Sequence, residues 1–257
     1  MKTSVRRGTR YSAGQQQWLL KNFDRTCGLM EPVVAERYGE EQAEDMRIAV
    51  RAEFRDLLED LPRIPRARML STFLIITAQE LAAYKGLKPF GLSVEEIWQL
   101  CHHAIRLKTN AIPKWKRWLL KQAMFSRPMK RMLAQRAALG ETGQLGGFEL
   151  EYLPQDSDAY DLGINYRACC NYKFVMEHGG AEFAPYVCMS DIALSEAMGW
   201  GLVRTQTLAD GCDHCDFRMT KGGPTCITSK TPEVQRVVDL IRTQELTETE
   251  HAGVQSA

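Results

Sequence analysis

Apolar residues recur at steps of three and four through the first half of the chain: Leu19, Phe23, Cys27 and Met30; then Ala43, Met46, Val50, Phe54, Leu57 and Leu61; then Leu70, Phe73, Leu74, Thr77, Leu81 and Tyr84. That period puts each set on one helix face and predicts three amphipathic helices. Pro62-Arg63-Ile64-Pro65 separates the second from the third, because proline does not continue a helix. Ser93-Val94-Glu95-Glu96 has capping-box spacing: the serine hydroxyl accepts the amide proton of the fourth residue and the glutamate reaches back. A further helix should therefore carry Ile97, Leu100, Cys101 and Ala104.

After Gly140 the period drops to two. Phe148, Leu150 and Tyr152 alternate with polar residues, as do Leu162, Ile164, Tyr166 and Ala168, on either side of a turn-rich stretch from Pro154 to Asp161. These read as two strands that pair. A second pair, Leu202–Leu208 and Cys215–Met219, is joined by Asp210-Gly211-Cys212-Asp213-His214, with helices near 171–178 and 190–198. Thr231-Pro232-Glu233 supplies an N-cap, a first-turn proline and a first-turn acid, and opens a last helix through Val234, Val237, Val238 and Ile241. The expected architecture is α+β. A helical N-terminal region, residues 1–142, packs on a small C-terminal domain, residues 143–245, with an antiparallel sheet and flanking helices. Residues 246–257 are polar and expected to form a disordered tail.

The 257 residues, 44% hydrophobic and 25% charged, are enough to bury a core without disulfide or metal staples. Lys+Arg number 33 against 32 Asp+Glu, so the global basic field of a phosphate-reading protein is missing and no nucleic-acid partner is expected. No apolar run follows the basic start Met1–Arg7, and no stretch reaches the roughly 18–20 apolar residues that span a bilayer. A cytoplasmic protein is expected. The charge is uneven, however. From Ile97 to Gly140 there is no acid, while residues 106–136 interleave Arg and Lys with Trp115, Trp118, Leu119, Leu120 and Phe125. Such a run suits peripheral contact with an anionic membrane or an acidic partner; the plainer reading is a solvated helix whose lysines cover core aromatics.

Cysteine usage carries the chemistry. Six of the eight cysteines fall between 169 and 226, in a chain that needs no stapling, which favours thiol chemistry or metal ligation over disulfides. Cys212-Asp213-His214-Cys215 is a Cys-x-x-Cys in a tight turn, where two thiolates could face one zinc ion. Cys188, Cys226 or Cys170 would have to complete the set. A redox pair ordinarily sits at a helix N-terminus, whereas this one precedes a strand. Cys27 and Cys101 lie on apolar helix faces and read as core.

Several runs together carry a resemblance: Arg167-Ala168-Cys169-Cys170-Asn171-Tyr172, Cys188 with Asp191, Arg204 to Gly211, and Cys215-Asp216-Phe217-Arg218. With Leu61-Pro62-Arg63-Ile64 and Leu81-Ala82-Ala83-Tyr84 before them, they resemble the L-2-amino-thiazoline-4-carboxylic acid hydrolase family over roughly residues 15 to 220. The resemblance implies hydrolytic opening of a small cyclic C=N substrate. Cys170 fits the family's Cys-x-Tyr through Tyr172, Cys188 and Asp191 its Cys-x-x-Asp, and Cys215 its Cys-Asp-Phe; Cys169, Cys212 and Cys226 look like extras. A more distant likeness is to the small-molecule-binding domain related to four-vinyl reductases, whose cysteines hold zinc. Arg204 and Thr207 stand here where that domain has an acidic residue and a cysteine.

Two chemical routes follow. In one, the Cys170 thiolate, at a helix start that would lower its pKa, attacks the substrate and Asp191 moves protons. In the other, which is preferred, Cys188 and Cys215 with His214, Cys170 or Asp191, or with Cys212 or Cys226 as alternatives, hold zinc as cofactor and a metal-bound hydroxide attacks. Arg204 or Arg218 would fork a substrate carboxylate, with Tyr172 beside it. The competing readings are a non-catalytic small-molecule-binding or sensing module with structural zinc, and an iron–sulfur or redox accessory protein.

Overall fold

The computed structural model describes residues 11–64, 68–141, 147–155 and 159–254, with side chains as far as residue 243. Three helices come first: α1 (Ala13–Tyr38), α2 (Glu40–Asp60) and α3 (Arg68–Leu87). Their inward faces carry the apolar residues the period marks, and Phe54, Leu74 and Leu81 are fully buried. Gly86 lets α3 close on α2, since a Cβ there would lie 2.7 Å from the Val50 Cα. The Ser71 hydroxyl donates to the Ile64 carbonyl at 3.1 Å and accepts from the Ile64 amide at 3.2 Å, tying the connection back onto α3. The capping box closes as expected: Ser93 Oγ accepts from the Glu96 amide at 3.2 Å and the Glu96 carboxylate accepts from the Ser93 amide at 2.9 Å, opening α4 (Val94–Asn110).

The basic segment forms two helices, α5 (Lys114–Met124) and α6 (Arg127–Glu141). Gly140 near the end of α6 passes close to the next strand; a Cβ there would meet the Leu150 amide nitrogen at 3.0 Å. The remainder alternates strands and short helices: β1 (Glu149–Leu153), β2 (Leu162–Ala168), α7 (Cys170–Glu177), α8 (Ala184–Met189), α9 (Asp191–Met198), β3 (Leu202–Arg204), β4 (Cys215–Met219), β5 (Cys226–Ile227) and α10 (Pro232–Val254). The strands form one sheet in the order β1-β2-β4-β3-β5. Every pair is antiparallel except β3 with β5, so the sheet is mixed rather than purely antiparallel.

The strand expected over 202–208 stops at Arg204 for a local reason. The amides of Thr205 and Gln206 donate to the Asp216 carboxylate at 2.9 and 2.7 Å instead of extending the ladder. The Thr207 hydroxyl then accepts from the Asp210 amide at 3.0 Å and caps a single helical turn over Leu208–Asp210.

Register fixes which residues share a face. Ile164 pairs with Phe217 and Tyr166 with Cys215, while Leu202 sits opposite Met219. Alternation then places Ile164, Tyr166, Leu202, Arg204, Cys215, Phe217 and Met219 on the face toward the helices, and Asn165, Asp216 and Arg218 on the other. Trp98 of α4 is wholly buried and donates through Nε1 to Ser190 Oγ at 3.4 Å, just before α9. No helix of the described residues is long and apolar enough to cross a membrane.

Candidate active site

The helix-facing side of the sheet borders a cavity of about 110 Å³, closed by α3, α7, α8 and α9. Three cysteines line it, Cys169, Cys188 and Cys215, together with Glu80, Asp191 and Arg204. Its apolar walls include Phe73, Tyr166, Tyr172, Trp200 and Phe217.

Arg204, at the end of β3, is 1% exposed. Its Nη1 donates to Asp191 Oδ2 at 2.5 Å and its Nη2 to the Cys188 carbonyl at 2.5 Å, while the guanidinium carbon sits 5.1 Å from the Phe217 ring centre. A buried guanidinium needs a compensating anion. Asp191, in the first turn of α9, supplies it: burial pushes the Asp191 carboxyl up, and Arg204 holds against that push.

Glu80 is the second carboxyl of the cavity and is 4% exposed on α3. Trp98 Nε1 donates to Ser190 Oγ at 3.4 Å, and the Ser190 hydroxyl donates to Glu80 Oε1. Desolvation pushes the Glu80 carboxyl up to about 8, opposed by the Ser190 hydrogen bond and reinforced by the nearby Asp191. Two carboxyls thus face one cavity in opposite circumstances: one is paired with a guanidinium and the other is biased toward its neutral form.

Burial also raises the thiols. Cys169, the N-cap residue of α7, is pushed up to about 12, with the Tyr172 and Asn171 amides pulling against burial. Cys188 is raised well above an ordinary thiol by burial, with Arg204 opposing. Cys215 is raised by burial although the Leu208 amide donates to its sulfur at 3.3 Å. All three are neutral thiols at pH 7 in this state.

Of the residues singled out from sequence, Tyr172, Cys188, Asp191, Arg204 and Cys215 meet in the cavity. Cys170 does not line it. This residue begins α7 with its Cβ toward Gly147, and burial pushes its thiol up to about 11, outweighing the pull of Lys173. The neighbouring Cys169 faces the cavity in its place.

Arg218 lies on the opposite face of the sheet. Its Nη2 donates to Asn165 Oδ1 at 2.9 Å, and its guanidinium stands 5.4 Å from the Tyr160 ring centre. The donor set expected for zinc is not assembled. His214 and Cys212 sit half-buried in the turn before β4 and Cys226 is exposed on the edge strand β5, none of them on the cavity. Among the described residues no group of three or more His, Cys, Asp and Glu side chains is placed to hold a metal ion, and all eight cysteines are free.

Sequence reasoning passed over Glu80, Ser190 and Trp200. Glu80 was legible in principle, because its step from Thr77 and to Tyr84 places it on the buried face of α3.

A family model for L-2-amino-thiazoline-4-carboxylic acid hydrolase matches residues 82–219. No curated protein and no solved structure matches the chain. The match spans more than half of the sequence and takes in every cavity residue from α7 to β4, leaving only those of α3 outside it. The chain therefore belongs to the L-2-amino-thiazoline-4-carboxylic acid hydrolase family and is a hydrolase acting on a carbon–nitrogen bond.

Proposed function

We propose that the protein hydrolytically opens a small ring at a C=N or amide-like carbon, and that the reaction takes place in the cavity between the sheet and α3, α7, α8 and α9. The observation that carries this reading is the pair of carboxyls in unlike environments facing one enclosed space. Asp191 acts as the general base, with Arg204 fixing its carboxylate and balancing its charge. It accepts a proton from water as the water oxygen bonds to the ring carbon. Glu80, held in its neutral form, gives its proton to the ring nitrogen, and at an amide-like carbon the carbon–nitrogen bond then breaks. At a C=N carbon the proton held by Asp191 follows to the same nitrogen, and the new hydroxyl returns its proton to Glu80 as the remaining single bond breaks and the carbonyl forms. One water is consumed, and in the amide-like case proton exchange with solvent returns both carboxyls to their starting states. Tyr172 and Phe217 form the walls on which a flat ring rests.

The neutral state of the Cys169, Cys188 and Cys215 thiols supports water rather than a resting thiolate as nucleophile. The test is turnover of a panel of five-membered cyclic amidines, lactams and ureas in ¹⁸O-water, read by mass spectrometry. The expected product carries one ¹⁸O at the opened carbon, and Asp191→Asn lowers the rate by about 10²–10⁴-fold. No ring opening across the panel, or full activity in Asp191→Asn, overturns the reading.

A further inference from the structure

The charge of the substrate follows from what the cavity spends and what it leaves over. Arg204 is the only cation among the described residues that line it, and both terminal nitrogens are already engaged by Asp191 and the Cys188 carbonyl. Arg218, the other candidate for a carboxylate fork, faces away from the cavity. A carboxylate entering here would be desolvated next to Asp191 with no further cation among the described lining residues to receive it, which is costly in a buried site.

What remains unpaired belongs to two neutral side chains and to a guanidinium whose charge Asp191 already balances. Three buried polar atoms of lining residues have no hydrogen-bond partner among the described residues: Arg204 Nε and Trp200 Nε1, both donors, and Asn171 Oδ1, an acceptor. Buried polar atoms are rarely left so, and a ligand that satisfies them gains what the empty site lacks.

We infer that the substrate is an uncharged, compact ring without a carboxylate, whose acceptor atom takes hydrogen bonds from Arg204 Nε and Trp200 Nε1 and whose N–H donates to Asn171. The inference rests on the cavity being the reaction site, as argued above, and narrows what enters it.

The test is binding, by calorimetry at pH 7, of a matched pair: 2-imidazolidinone, which is neutral, and 2-oxoimidazolidine-4-carboxylate, which is anionic. The neutral ring should bind at least about ten-fold tighter, and Trp200→Phe should weaken it by about ten-fold through loss of one donor. Asp191→Asn, which releases Arg204 Nη1, should narrow or reverse the preference, and Trp200→Phe serves if Asp191→Asn does not fold. Equal or tighter binding of the anion, an unchanged affinity in Trp200→Phe, or no binding of either ring overturns the inference. Ring opening that favours carboxylate-bearing substrates would overturn it while leaving the hydrolase reading intact. Selective binding of the neutral ring with no turnover of any ring would do the reverse.

A second inference rests on α5 alone. Of its eleven residues only Met124 is buried. Trp115, Trp118 and Leu119 are exposed by 61%, 56% and 48%, and Trp115 lies nine residues from Met124, about two and a half turns and so on the opposite side. Lys114, Lys116 and Lys121 flank them, with no acid anywhere from residue 97 to 140. We propose that this face rests on an anionic lipid surface, with the indoles at headgroup level and the lysines toward phosphates.

Cosedimentation with phosphatidylglycerol-containing vesicles at low salt should retain the protein, while phosphatidylcholine vesicles or high salt should not. The double variant Trp115→Ser, Trp118→Ser should stay in solution with an unchanged melting curve. No binding, equal binding to both vesicle types, or a dimer in vesicle-free solution that the double variant abolishes overturns the proposal.

Discussion

Glu80 shows how one residue couples site chemistry to stability. Its carboxyl is pushed up to about 8 in the fold, against about 4.3 in an unfolded chain. Between those values the native state keeps a proton that the unfolded state has released. The stability Glu80 contributes is therefore full below about pH 4.3 and drains as pH rises through about 8, by up to about 1.4 kcal/mol per unit. Glu80→Gln should abolish that slope, so urea midpoints of wild type and variant should diverge in the variant's favour from about pH 5 to 8. A wild-type midpoint as flat as the variant's would show that Glu80 is ionised in the fold. At Arg204 the expectation is opposite in kind: Arg204→Met strands the Asp191 carboxylate and should cost about 3–5 kcal/mol in denaturant unfolding. Sequence alone identified Asp191 and Arg204 but not their partnership, because an ion pair joining the start of a helix to the end of a strand has no signature in spacing. Cys169 and Cys170 pose the same difficulty: two identical neighbours at a helix start differ only in which way the N-cap geometry turns them.

At the level of elements, the long periodic segments were legible, as were β1, β2 and β4 and the helices near 171–178 and 190–198, while the shortest elements were not. Helices α1 to α4 bury the residues their period marks, and the Ser93 box closes as its spacing demands. β5, only Cys226–Ile227, and α8, only six residues, are too short to show a period at all. The parallel pairing of β5 with β3 is long-range, since it joins Val203 to Cys226 across the intervening β4. Close packing between elements gives a direct test. Gly86→Ala would place a methyl group 2.7 Å from the Val50 Cα, so α2 and α3 must part. A loss of about 1–3 kcal/mol is expected from such overpacking, read as a lowered melting temperature, and an unchanged one would show that the two helices yield freely.

Across the whole molecule, a second cavity of about 310 Å³, almost wholly apolar, lies among α1 to α4 and α9 and shares Ile76, Glu80 and Leu194 with the polar one. These three side chains are a partition. Leu194→Ala, which thins it, should cost about 2–5 kcal/mol and loosen ring binding in the neighbouring cavity; a variant that loses stability yet binds rings unchanged would show that the partition is structural only. Leu194 belongs to the part of the chain that the family model matches, whereas Ile76, Glu80 and Phe73 come from α3 before residue 82. Two of the three partition side chains, Ile76 and Glu80, are thus contributed by α3 and one by α9. Because Glu80 is also the proton donor of the proposed reaction, an exchange of α3 would alter the bond-breaking step together with the shape of the wall that meets the ring.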